Sequence, residues 1–150
     1  MQYPLPEGNF NTVTPVLDQS MNILVFQDHE SKSNYTLIIN RDRQEAGETL
    51  AGYCQRQIKV LARQFEDFVQ DGDLMTDTRE NGIRYARFHT RFHQGGAPVH
   101  QAQIVVQLDE SGKVIIFTLS GTAAFNDAQA LHYSDAVQSF IDALPHQRTG

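Results

Sequence analysis

Apolar residues fall in short alternating runs over most of the chain and at helical spacing in two stretches. Ser20-Met21-Asn22-Ile23-Leu24-Val25-Phe26 and Tyr35-Thr36-Leu37-Ile38-Ile39-Asn40-Arg41 are rich in β-branched and aromatic residues. A wholly polar loop, Asp28 to Asn34, separates them. The pattern predicts two strands. In the first, alternation sends Met21, Ile23 and Val25 to one face and Leu24 and Phe26, beside Asn22, to the other. A strand that is apolar on both faces needs apolar cover on both. One cover is the protein's own core; the other is a second subunit, a covering helix or a ligand.

The flanking segments fit around this pair. Residues 1–18 carry Pro4, Pro6 and Pro15 and read as an irregular lead-in with a short edge strand over 10–16. Gly47-Glu48-Thr49-Leu50 opens a helix, with Glu48 placed in the first turn where the helix dipole favours it. Leu50, Tyr53, Cys54, Ile58, Leu61, Phe65 and Phe68 follow helical spacing, flanked by the small residues Ala51 and Ala62. The helix is predicted to end over 66–69, before the turn Asp71-Gly72-Asp73.

Strands over 73–79 and 83–93 flank Asn81-Gly82, a two-residue hairpin signal. After Gly95-Gly96-Ala97-Pro98 comes a strand over 99–108. It has Ala102, Ile104, Val106 and Leu108 on one face, and Gln101, Gln103 and Gln107 with Val105 on the other. The strand over 113–120 is again apolar on both faces. Asn126 with Gln129 three residues on is a capping-box pair, opening a helix whose stripe is Ala130, Tyr133, Val137, Phe140 and Leu144. Pro145 stops it, and 146–150 read as a frayed tail. Strands, a helix, a run of strands and a closing helix give an α+β fold: an antiparallel sheet with packed helices.

Composition narrows the function classes. At 150 residues, the chain is read as one domain, 1–150, large enough to build a core without staples. A net charge of −6 argues against nucleic-acid binding, which needs clustered Lys and Arg. Cys54 is the only cysteine, so no intrachain disulfide forms and a reducing compartment fits. The N-terminus has neither a basic start nor an apolar run, and no stretch reaches the ~18 apolar residues of a membrane span. The expected location is the cytoplasm.

Catalytic signatures are missing. His89 and His93 lie four apart on a predicted strand, a span of ~13 Å, too far for one metal ion. There is no Gly-x-Ser-x-Gly elbow and no phosphate-binding glycine loop. Cys54 sits on the apolar stripe of its helix and reads as core. Asp71 and Asp73 read as loop solvation; Arg79, Arg84, Arg87 and Arg91 cluster on one hairpin and read as a solvated sheet face, with anion binding as the alternative. No enzyme activity, cofactor or metal is expected. What remains is a surplus of apolar strand surface.

Gln19-Ser20-Met21-Asn22-Ile23-Leu24-Val25, Ile39-Asn40-Arg41-Asp42-Arg43, Gly47-Glu48-Thr49-Leu50 and Gln55-Arg56-Gln57 resemble the Eag chaperones of bacterial type VI secretion. These belong to the wider DcrB-like group, whose fold is similar to the Mog1/PsbP α/β sandwich. The resemblance spans Met1 to Leu144. It implies a cytoplasmic homodimer that binds the N-terminal transmembrane helices of a PAAR- or Rhs-type effector and shields them until the effector is loaded on the secretion spike. It implies no nucleic acid and no membrane insertion by the chaperone itself. Carried onto this chain, the client-binding candidates are Ile23 and Val25 on the first strand, Ala62 and Glu66 on the helix, and Ala102, Gln103 and Ile116 on later strands. Leu24 and Phe26 stand in for the first pair if the strand presents its other face. The alternative is an interaction module of the Mog1/PsbP kind that binds a folded partner surface.

Overall fold

Among the described residues, eight strands and two helices follow the predicted sequence of element types, with a hairpin in place of the single early strand. A computed structural model gives this fold and describes residues 1–5, 7–15, 19–30 and 32–145. β1 (Gln2–Leu5) and β2 (Gly8–Asn11) pair as a separate two-stranded sheet. β3 (Asn22–Gln27), β4 (Asn34–Arg43), β5 (Glu66–Thr78), β6 (Arg84–Gln94), β7 (Ala97–Gln107) and β8 (Lys113–Gly121) form a six-stranded sheet in the order β3-β4-β8-β7-β6-β5. Every pairing in it is antiparallel. α1 (Leu50–Gln64) lies between β4 and β5 in sequence, and α2 (Asp127–Asp142) closes the described chain. The expected α+β class is the one observed.

The helices take opposite faces of the sheet. α2 buries Tyr133, Val137 and Ile141 with Leu37, Ile104, Val106, Phe117 and Leu119. The Tyr133 hydroxyl reaches the backbone carbonyls of Ala102 on β7 (3.1 Å) and Phe117 on β8 (2.5 Å), so a buried polar group is satisfied inside the apolar layer. α1 buries Leu50, Tyr53, Cys54 and Ile58 with Ala86, Phe88, Val105 and Val114. The alternation of β7 explains both layers: Ala102, Ile104 and Val106 serve α2, and Val105 serves α1.

Local signals set the helix starts. Thr49 is the N-cap of α1, its Oγ1 accepting the Gly52 N–H at 3.0 Å. Glu48 therefore precedes the helix instead of sitting in its first turn. Its carboxylate binds the Arg56 guanidinium through two bonds of 2.8 and 2.9 Å. The predicted capping box of α2 is present, with Asn126 Oδ1 accepting the Gln129 N–H and Gln129 Oε1 accepting the Asn126 N–H.

Other boundaries differ from the sequence expectation. α1 stops at Gln64, and Glu66–Thr78 is one long edge strand. Phe65 and Phe68 continue the helical spacing, but Phe65 turns extended and stacks on Phe92 of β6, ring centroids 4.2 Å apart. Asp71-Gly72-Asp73 is not a turn. It lies within β5 at a register shift between Asp71 and Met75, where Gly72 takes φ +80°. Asn81-Gly82 sits in a longer connection, since the last β5–β6 pair is Thr78 with Arg84. The early strand expected over 10–16 is instead the β1–β2 hairpin, with residues 12–15 outside any strand. Val16 and the expected frayed tail, 146–150, lie outside the described residues.

Candidate functional site

α1 covers only part of its face of the sheet. It packs towards β5 and β6, which leaves β3, β4 and the near flanks of β8 and β7 open on that side. A groove of about 220 Å³ runs there. Its floor is Ile38 and Asn40 from β4, Ile116 and Thr118 from β8, and Gln101, Gln103 and Val105 from β7; its wall is Tyr53, Gln57 and Leu61 of α1. The wall residues are spaced by four, one per turn on a single flank of the helix.

Register fixes which side chains share this face. Ile23 is paired with Ile38, Ile38 with Thr118, and Thr118 with Gln103. These four stand in one row across β3-β4-β8-β7. In the neighbouring row, Asn40 is paired with Ile116 and Ile116 with Val105. Val25, two residues beyond Ile23, extends the same face. β3 is the sheet's edge, so Ile23 and Val25 are uncovered: 58% and 63% exposed. Met21 is exposed as well.

The predicted client-binding residues divide accordingly. Ile23, Val25, Gln103 and Ile116 lie together on the α1 side. Ala102 lies on the opposite face beneath α2 and is 4% exposed, because β7 alternation separates it from Gln103. Ala62 is exposed on α1 but stands ~140° around the helix from Gln57, outside the groove wall. Glu66 is not helical. It opens β5 at the far edge of the sheet, paired with His93. Leu24 is paired with Leu37 and Phe26 packs with the α2 core, so both point away from the groove. Sequence reasoning passed over Ile38, Asn40, Thr118, Gln57 and Leu61 as groove residues. Alternation along β4 carried the signal for Ile38 and Asn40, once the strand was aligned with β3.

The groove is chemically quiet. The Tyr53 hydroxyl donates to Asp42 Oδ2 at 2.6 Å; burial and this carboxylate push the phenol well above its ordinary range, so it stays a neutral donor. Burial pushes the Cys54 thiol up to about 12, with Glu48 contributing, which removes it as a nucleophile. Among the described residues no group of three or more His, Cys, Asp and Glu is placed to hold a metal ion. His93 Nδ1 lies 3.2 Å from the Asp67 carboxylate, away from the groove. Asn40 Oδ1, on the floor, is buried without a hydrogen-bond partner among the described residues. The arrangement offers shape, apolar side chains, the unpartnered Asn40 Oδ1 and a pair of floor amides in which Gln103 Nε2 donates to Gln101 Oε1 at 3.2 Å.

Family comparison agrees with this architecture. The family model DcrB matches residues 7–139. The chain belongs to the DcrB family. Among proteins of curated function, none matches this chain. Of solved structures, a Pseudomonas aeruginosa protein of unknown function (PA94) is similar over 99% of this chain and 98% of its own, with TM-score 0.70 and 20% identity. LpqN, involved in cell envelope biogenesis of Mycobacterium tuberculosis, is similar over 83% of this chain and 76% of its own, with TM-score 0.51 and 17% identity. At these identities the likeness concerns the fold. No helix among the described residues of this DcrB-family chain is long and apolar enough to cross a membrane.

Proposed function

We propose that this DcrB-family protein is an Eag-type chaperone. In this reading it binds the N-terminal transmembrane helices of a PAAR- or Rhs-type effector in the cytoplasm and shields them until the effector is loaded on the secretion spike. The observation that carries the reading is the open sheet face beside α1, which ends at the exposed pair Ile23 and Val25. From β3 to β7 this face spans three interstrand spacings, roughly 14 Å. An α-helix with its side chains is about 10–12 Å across, so one helix fits between β3 and the wall of α1. Covering apolar client surface stabilises the complex by about 25 cal/mol per Å² removed from water. A homodimer would extend the groove, with the exposed edge β3 available to a second copy. The role needs no catalysis, in keeping with the quiet chemistry of the groove.

A second reading, a module that binds a folded partner, is favoured by the amides on the floor: Asn40, Gln101 and Gln103 suit a polar surface as well as an apolar one. Co-expression separates the two. An effector N-terminal segment with its hydrophobic helices should co-purify with the wild-type protein and stay soluble. The doubly substituted Ile23→Asp, Val25→Asp protein, checked to be folded, should lose it. Unchanged capture by that variant would remove the groove assignment. Equal capture of an effector lacking those helices would transfer the reading to the folded-partner module.

A further inference from the structure

The opposite face of the sheet carries a second cavity with different chemistry. A cleft of about 400 Å³ opens between the first half of α2 and β6. Its floor is apolar and buried: Ala102, Ile104, Leu119 and the ring of Tyr133. Phe125, just before α2, closes one end. The rim on the β6–β7 side is basic, with Arg87, His89 and His100. Register explains this juxtaposition. Arg87 is paired with Ile104 and His89 with Ala102, so each basic side chain stands on the same face as a floor residue.

The rim holds one carboxylate, Asp71, and it is already engaged: its Oδ1 accepts from Arg91 Nε at 3.1 Å. The Arg87 guanidinium makes no hydrogen bond or ion pair among the described residues. The chain as a whole carries a net charge of −6, so an unpaired guanidinium beside an apolar hollow runs against the general charge of the molecule. A guanidinium matches a carboxylate through two parallel hydrogen bonds. The cleft volume lies within the range of small-molecule sites, ~300–1,000 Å³, which combine an apolar lining with a few fixed polar groups.

We propose that this cleft binds a small carboxylate with an apolar body. The carboxylate lies against Arg87 and His89. The apolar body crosses Ala102 and Leu119 towards Phe125. Two sources share this chemistry: a medium-chain fatty acid, and the free C-terminus of an apolar peptide. The site lies on the opposite face of the sheet from the α1-side groove, with Gln101 and Gln103 of β7 bordering both.

Calorimetric titration of the full chain tests the proposal, with decanoate, decyl maltoside, and an apolar hexapeptide with a free or an amidated C-terminus. Decanoate or the free-acid peptide should bind one-to-one, and whichever binds identifies the source. Decyl maltoside and the amidated peptide should not bind. Arg87→Gln should weaken binding by about tenfold or more. Ala130→Phe, at an exposed α2 position on the cleft wall, should block it while leaving the fold intact. Ile23→Asp should leave it unchanged. The proposal is overturned if neither acid binds at millimolar concentration, if the uncharged ligands bind equally well, or if both cleft variants bind as the wild type does.

Discussion

The side-chain amide of Asn81 joins parts of the chain 60 residues apart. Its Nδ2 donates to the carbonyls of Ile141 (2.8 Å) and Leu144 (3.3 Å), at the C-terminal end of α2, and its Oδ1 accepts the Ile83 N–H at 3.2 Å. The last carbonyls of a helix have no partner within it, and here a hairpin loop supplies one. Beside it, Arg79 donates to both oxygens of Asp142. Asn81→Ala should cost about 1–3 kcal/mol, the range for leaving buried polar groups unsatisfied, measured by urea unfolding. A loss below a few tenths would mean that water replaces the amide. The Asn-Gly pair was legible as a turn; its role as a cap for α2 was not, because the partner is remote in sequence. Glu48 gives a prediction in pH. The Arg56 guanidinium holds its carboxyl below the ordinary value, so the folded state binds fewer protons than the unfolded state. The stability it adds is complete above the unfolded pKa, about 4.3, and fades as pH falls through the lowered folded value. Glu48→Gln should therefore be less stable than the wild type at pH 7, with the gap closing towards pH 3 in chemical denaturation. A gap that widened on acidification would contradict the pairing.

Elements show where sequence reading succeeds and where it stops. The start of α2 was legible because its capping box is complete within four residues, 126–129. Asn126→Ala should lower stability by about 0.5–2 kcal/mol, readable as a shift in the urea midpoint at constant slope. The end of α1 was not legible, because Phe65 and Phe68 keep the helical period while their partners lie elsewhere: Phe92 for the first and the α1-side core for the second. Long-range pairing of β5 with β6 overrides the local pattern there. Strand alternation was legible, but it fixed the facing of the groove residues only up to a choice of side, and the β3–β4 register makes that choice. The same strand pair gives opposite expectations for two apolar residues. Val25→Lys, at a site 63% exposed, should change stability by no more than about 0.5 kcal/mol. Leu37→Ala, in the α2-side core at 6% exposure, should cost about 2–5 kcal/mol. Thermal unfolding of both variants checks the contrast; equal losses would mean that β3 is covered after all.

The molecule as a whole is a sheet with a helix on each face, one face closed more fully than the other on the β3–β4 side. Cys54 lies at the centre of the α1 layer and is fully buried, so its thiol reports on opening of that layer. With the thiol pushed up to about 12, labelling by a disulfide reagent at pH 8 should be slow and should accelerate in urea in step with global unfolding. Rapid labelling of the native protein would show that α1 lifts off locally. The two margins of the six-stranded sheet also differ. β5 is long, polar and broken by register shifts near Val69 and Met75, irregularities that discourage lateral addition of another strand. β3 is short, straight and greasy, without such protection. In the homodimer proposed above, pairing along β3 would use up the receptive margin of each copy and leave only blunted ones outside. Growth by that route would halt at a pair, a seam that adheres without seeding fibres.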